Sequence, residues 1–248
     1  MKAITTQTSI GEIVCAVPAT SRIFENLNID YCCGGKKPLA EVCRTKGLDA
    51  ATVITMLSAI EKPENDRPTD VDAMTLAELC NHIQQVHHGY LQQELPRLEF
   101  MTRKVAAVHG EHEPRLLELQ ITFEAFKAEI TVHTKEEDEI VFPAIRKVEA
   151  QNDDAHAASF DLLTSVERLE QEHDDAGAAL ERFRALTDNF SPPEWACNTF
   201  RALYDGLAQL EKNMHQHVHK ENNVLFPKVL AMATEKPGRT EEVLHETS

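Results

Sequence analysis

Apolar residues recur along most of the chain at spacings of three and four, the period of a helix with one buried face. Three stripes are long. One reads Leu119, Phe123, Phe126, Ile130, His133, Glu137, Ile140. A second reads Leu162, Val166, Leu169, His173, Ala176, Leu180, Phe183, and a third Leu203, Leu207, Leu210, Met214, His217, Glu221, Val224. Each predicts a helix, and each seam carries His or Glu where another apolar residue is expected. A fourth region holds two half-stripes, Leu76, Cys80, Ile83, His87 and His88, Leu91, Leu95, Leu98, so that either adjacent imidazole can face the core.

From these stripes helix one runs from about Thr75 to Val108, opened by a Thr75–Glu78 capping box, with Pro96 predicting a kink or brief break. Helix two starts near Pro114 and reaches Val148, interrupted at Pro143; helix three spans about His156 to Asn189. Pro192-Pro193 opens helix four, which reaches about Ala233. Long helices joined by short loops give antiparallel neighbours, hence an up-down-up-down four-helix bundle over residues 73–236. Residues 237–248 read as a frayed tail.

Residues 1–62 read as a separate small helical domain. Ser9 opens a short helix (Ile10, Ile13, Val14) that stops before Pro18, and a second helix to Leu27 buries Ile23, Phe24 and Leu27. Pro38 starts a third helix and Asp49 caps a fourth carrying Val53, Ile54 and Leu57. Between them Asp30-Tyr31-Cys32-Cys33-Gly34-Gly35-Lys36-Lys37 predicts a tight loop whose glycines permit positive φ. Adjacent thiols beside two lysines read either as a reactive pair, thiolate favoured by the cations, or as one buried and one exposed thiol without chemistry. Residues 63–72, polar with two prolines, read as the linker.

Composition narrows the function classes. The net charge of −16 over 248 residues disfavours nucleic acid and anionic membrane as partners. No apolar run approaches the ~20 residues of a membrane span and no signal-peptide core opens the chain, so a cytoplasmic protein is expected. Six cysteines in a chain of this length are expected to be reduced.

The chemistry lies in the seams. His133-x-x-x-Glu137 and His217-x-x-x-Glu221 are copies of one motif, each followed by Phe-Pro at the same offset. Residues i and i+4 share a helix face, so each copy aims an imidazole and a carboxylate at one point. A further His stands upstream of each copy, His88 by 45 residues and His173 by 44. Buried carboxylates without partners are costly, and a shared cation satisfies them all. Imidazole and carboxylate without thiolate suit iron or manganese, with zinc a weaker choice. If both glutamates and one solvent oxygen bridge two octahedral ions, about 10 of about 12 coordination positions are filled.

The chain resembles the iron-sulfur cluster repair di-iron proteins, the repair of iron centres family, over nearly its whole length. The marks are Asp30-Tyr31-Cys32-Cys33-Gly34-Gly35-Lys36, His88 before Glu94-Leu95-Pro96, His133-x-x-x-Glu137, Glu172-His173-Asp174, and His217-x-x-x-Glu221-Asn222-Asn223-Val224-Leu225-Phe226-Pro227. The resemblance implies an all-α, hemerythrin-like bundle holding two non-haem iron ions through His88, His133, Glu137, His173, His217 and Glu221, bridged by both glutamates and an oxo or hydroxo group. It implies a stress-response role in restoring clusters damaged by nitric oxide or oxidants, with Cys32 and Cys33 as functional thiols. The partners expected are damaged iron-sulfur proteins, nitric oxide as a small ligand, and a second copy of the chain. Two alternatives use the same bundle: reduction or binding of nitric oxide at the metals, and oxygen carriage or sensing. The Cys-Cys domain has no use in oxygen storage, and both helical pairs are His-x-x-x-Glu, not the His-x-x-x-His expected of a carrier.

Overall fold

The computed structural model describes residues 4–60, 71, 73–150 and 155–234. The linker at 63–72 and the tail at 237–248 therefore fall wholly or largely outside the described residues. Among those described, secondary structure is helical, with one isolated bridge between Ser9 and Pro38.

The N-terminal unit has four short helices: α1 (Ile10–Ala16), α2 (Ser21–Asn26), α3 (Leu39–Lys46) and α4 (Ala50–Ser58). Ser9 and Glu12 cap α1 reciprocally, and the Asp49 side chain accepts the Thr52 N–H at the start of α4. Their apolar faces meet in one cluster built on Ile10, Phe24, Ile29, Tyr31, Leu39 and Leu57. Of the residues expected inside on α2, Phe24 is buried, whereas Ile23 and Leu27 are only partly so.

The Gly34-Gly35 pair does not use positive φ. It lies in a 3-10 turn, Cys33–Lys36, and the glycine that takes the left-handed conformation is Gly47 (φ 67°), at the end of α3. What Gly35 supplies is space. A Cβ there would stand 2.4 Å from Asn223 Oδ1, and so would one on Gly11. Two glycines thus cradle one asparagine of the bundle.

The bundle has four rods. Rod one is α5 (Leu76–Ile83), a π turn (Gln84–His88) and α6 (Gly89–His109); rod two is α7 (Arg115–Glu136), a π turn (Glu137–Val141) and α8 (Phe142–Glu149). Rod three is α9 (Ala155–Leu186), and rod four is α10 (Asn198–Lys220), a π turn (Glu221–Leu225) and α11 (Phe226–Thr234). Rods one and two pack through α6 and α7, two and three through α7, α8 and α9, and four against one and three. The result is the expected up-down-up-down four-helix bundle preceded by a smaller helical region.

Each π turn adds one residue and so shifts the buried face by one position. In rod one this reconciles the two half-stripes: Leu76, Cys80, Ile83 and His87 are buried before the shift, and His88, Leu91, Leu95 and Leu98 after it. In rod two it moves Ile140 out, 60% exposed, and brings Val141 and Phe142 in. Ile140 was expected on the seam, and a regular helix would have put it there. Pro143 and Pro227 each stand two residues past one of these turns. A proline has no N–H and crowds the carbonyl four residues back, so a wider turn ahead of it relieves both problems.

Two other expectations about prolines change. Rod one remains helical through Pro96, which lies on its exposed face, where the freed carbonyl of Gln92 meets solvent. Pro192-Pro193 does not open rod four, whose helix begins at Asn198. The preceding loop is tied down by Arg201, which donates to the carbonyls of Pro193, Glu194 and Ala196.

The core is in two pieces. Leu98, Phe123, Phe126, Phe183, Leu207 and Met214 belong to one apolar cluster; Cys80, Ile83, Phe142, Leu169, Leu225 and Phe226 belong to the other. Between them lies a layer of histidine and glutamate.

Candidate metal centre

All six residues of that layer are buried: His88, His133, His173, His217, Glu137 and Glu221, the two carboxylates completely. They form two overlapping sets. His88 and His217 make one with Glu137 and Glu221, and His133 and His173 make the other with the same two glutamates; within each set the donor atoms lie within 4.8 Å of one another. Within the sets His88 Nε2 and His217 Nε2 are 3.1 Å apart, and His133 Nε2 and His173 Nε2 3.0 Å. Glu137 Oε2 stands 3.3 Å from His133 Nε2 and 3.4 Å from His88 Nε2; Glu221 lies 2.9 Å from His217 and 3.2 Å from His173.

The outer ring nitrogens explain why the inner ones converge. Nδ1–H of His88 donates to Asp138 at 2.7 Å, that of His133 to Glu172 at 2.7 Å, and that of His173 to Asn222 at 2.8 Å. Each bond orients the ring and leaves the Nε2 lone pair pointing inward, the arrangement that metal-binding imidazoles use. Glu172 is itself held by Arg168, which also pairs with Glu136. Sequence reasoning passed over Asp138, Glu172 and Asn222 as orienting groups. Their signal was position: each is the immediate chain neighbour of a seam residue, yet serves an imidazole on the adjacent rod.

The donor set fits divalent cations. Both oxygens of Glu137, Oε2 of Glu221 and Nδ1 of His217 are buried without a hydrogen-bond partner. Leaving such groups unpaired costs several kcal/mol for each ion, more than the roughly 1.5–3 kcal/mol returned by a buried Leu or Phe. Without a cation, protons must compensate. Burial disfavours charge on His88, but the bond to Asp138 and the nearby Glu137 carboxylate outweigh it and raise its pKa to about 10. His133 likewise overcomes burial through Glu137, Glu221 and Glu172, reaching about 9. Burial and mutual repulsion oppose ionisation of Glu137 and Glu221, yet the facing imidazoles hold both below the usual carboxylate range. Burial pushes His217 down. The layer is therefore built around positive charge.

His87 lies elsewhere. Its Nε2 meets Lys220 Nζ at 2.9 Å, its Nδ1 faces Asn213, and its ring stacks on His217. His219 is buried at the contact with the N-terminal unit, 3.2 Å from the Tyr31 carbonyl.

Cys32 and Cys33 lie against this layer. Cys33 Sγ is 3.3 Å from the carbonyl oxygen of His173, and Cys32 packs into the bundle core. Lys36 is not their electrostatic partner, since its Nζ pairs with Glu170 at 2.7 Å. The nearest charge is Asp30, which accepts the backbone N–H of Cys32 and Cys33. The bond to Cys33, burial and that carboxylate together raise the Cys32 thiol well above its ordinary range, the reverse of a thiolate stabilised by cations. None of the six cysteines is in a disulfide, and among the described residues no helix is long and apolar enough to cross a membrane.

Comparison with known proteins gives two family matches. Residues 6–61 match a family described as a Domain of Unknown function (DUF542), named ScdA_N, and residues 79–229 match the Hemerythrin HHE cation binding domain. The chain is 34% identical over 226 residues to the iron-sulfur cluster repair protein ScdA of Staphylococcus haemolyticus, covering 91% of this chain and 99% of that one. It is 35% identical over 224 residues to the iron-sulfur cluster repair proteins YtfE of Pectobacterium atrosepticum and Yersinia pseudotuberculosis, covering 90% of this chain and 96% of each.

Proposed function

The chain belongs to the ScdA/YtfE-type iron-sulfur cluster repair proteins, with an N-terminal DUF542 domain and a hemerythrin HHE domain, and from that premise we propose that it is a di-iron protein that supplies iron to clusters damaged by nitric oxide or oxidants. The observation that carries the reading is the pair of two-His, two-Glu sets that share both glutamates. In this reading His88 and His217 hold one ion and His133 and His173 the other. Glu137 and Glu221 bridge them, together with an oxo or hydroxo group. Residues 1–62 form the Cys-Cys domain, joined by the linker at 63–72 to the bundle at 73–236. The partners are damaged iron-sulfur proteins, nitric oxide as a small ligand, and a second copy of the chain, in the cytoplasm.

The donor set favours supply over storage. Nitrogen and oxygen ligands bind ferrous iron less tightly than they bind copper or zinc, whereas a cluster scaffold offers soft thiolate and sulfide. Iron carries the chemistry as cargo; the protein holds, charges and releases it.

The test uses protein loaded with isotopically labelled iron, mixed with a cluster protein damaged by nitric oxide. Label in the restored cluster is expected. Restoration without label, accompanied by nitrous oxide, would replace iron supply with removal of the nitrosyl. The site itself is checked by metal analysis: His217→Ala and Glu137→Ala should each lose much of the iron and destabilise the bundle by about 3–5 kcal/mol, because their former partners stay buried. Full iron retention in both variants would end the di-iron assignment.

A further inference from the structure

Outside the histidine and glutamate layer, one other set of metal-binding donors converges among the described residues. Cys32 Sγ, Cys33 Sγ and a carboxylate oxygen of Asp30 lie within 4.8 Å of one another. The two sulfurs are 3.8 Å apart. That is far from the ~2.05 Å of a disulfide, but it is the separation of about 3.8 Å that two sulfurs take around one tetrahedral ion at about 2.3 Å. Asp30 is fixed on the same turn, accepting N–H from Cys32 at 2.8 Å, Cys33 at 3.1 Å and Gly34 at 2.9 Å.

The position of this set matters as much as its chemistry. On one side Cys33 Sγ touches the carbonyl oxygen of His173, the backbone of the helical turn that presents an imidazole to the bundle centre. On the other side the thiols and Asp30 line a cavity of about 630 Å³. Four further carboxylates line it, from Glu25, Asp174, Glu181 and Glu211, and the acidic groups outnumber its three basic side chains. An acidic cleft raises the local concentration of cations.

We propose that Asp30, Cys32 and Cys33 form a transfer site for one ferrous ion on its way between the bundle centre and this acidic cavity. The proposal rests on the reading that the protein supplies iron, and it names the residues through which iron leaves. Two thiolates and a carboxylate make three donors, so a fourth position stays open to an incoming thiolate of the acceptor. Binding is balanced by protons alone. The ion displaces one proton from each thiol to solvent, that of Cys32, which faces Asp30 Oδ1, included, and Asp30 adds a carboxylate oxygen. No electron moves. When the acceptor takes the ion, both thiols recover their protons.

Cobalt(II) serves as the reporter ion, because thiolate ligation gives it a charge-transfer absorption that nitrogen and oxygen ligands do not. Full-length protein loaded with about two iron ions per chain, enough for the bundle centre alone, and cleared of excess metal, is titrated with cobalt(II) without oxygen. One further equivalent showing that absorption is expected. It should vanish in Cys32→Ser/Cys33→Ser and bind about tenfold more weakly in Asp30→Asn, with iron content and circular dichroism unchanged in both. No charge-transfer band in the wild type, or one that survives the double serine variant, overturns the site. A second arm follows labelled iron into a damaged cluster. Transfer should slow about tenfold or more in both variants. Wild-type transfer rates in both would overturn the transit role while leaving the repair reading intact. Restored clusters without label from the wild type would overturn iron supply and the transit role together.

Discussion

His88, His133 and His173 each commit one ring nitrogen to the rod next in order, through Asp138, Glu172 and Asn222, so a single rod out of register would misaim an imidazole it does not carry. His87 and His88 are adjacent and equally buried, yet only His88 is aimed at Glu137. His88→Ala should therefore reduce iron to about one ion per chain, whereas His87→Ala should leave about two. Metal analysis checks it, and the opposite pattern would move the ligand to His87. The thiols offer a second contrast. Cys197 is exposed, while burial pushes Cys80 up to about 12. Mass spectrometry after alkylation at pH 8 should find Cys197 modified and Cys80 intact until the chain unfolds; equal labelling would contradict the burial of Cys80. The pH sign follows from the same shift. A thiol whose folded value lies above its unfolded value near 8.5 contributes stability below that value, lost as pH rises toward about 12.

The π turns are where element and site meet. Glu137 and Glu221 are the first residues of two of them, and His88 is the last of the third. The apolar pattern made the rods legible, and the duplicated His-x-x-x-Glu with its neighbouring histidines made the residues of the buried layer legible, because burial follows the helical period. The phase shifts were present as well, in the doubled half-stripe at His87 and His88. They were harder to read at Ile140-Val141-Phe142, where three consecutive apolar residues fit either phase. Nor could period reveal what a side chain on one rod does for the next, which is why Asp138 and Asn222 stayed hidden. Deleting Ile140, the residue the second π turn leaves exposed, should restore regular α geometry there and keep Ile145 and Val148 facing the core. Helix content should hold, since the buried stripe then runs unbroken through the deletion, but Glu137 would leave its position between His88 and His133. Iron content near wild type in the deletion variant would show that the π turn does not position the carboxylate.

At the scale of the molecule, the N-terminal unit and the bundle meet on the same π turn that carries Glu221. The surface pair Lys36–Glu170 is half in solvent and contributes at most about 1 kcal/mol. The specific contacts are inside: Asn223 Nδ2 donates to the Cys32 carbonyl at 3.1 Å, while its side chain fills the space left by Gly11 and Gly35. Docking should therefore depend on those glycines and little on salt. Gly35→Ala places a Cβ 2.4 Å from Asn223 Oδ1, in a turn whose φ any residue tolerates, so the cost is overpacking of about 1–3 kcal/mol, carried by the interface. The expected result is a rise of about tenfold or more in the rate at which a thiol reagent modifies Cys33, each tenfold corresponding to about 1.4 kcal/mol of lost docking. Lys36→Ala should barely change that rate. Adding Asn223→Ala to Gly35→Ala removes the clash and should recover part of the protection, a coupling that a double-mutant cycle reads directly. Cys33 as protected in Gly35→Ala as in the wild type would mean that Asn223 does not hold the two units together.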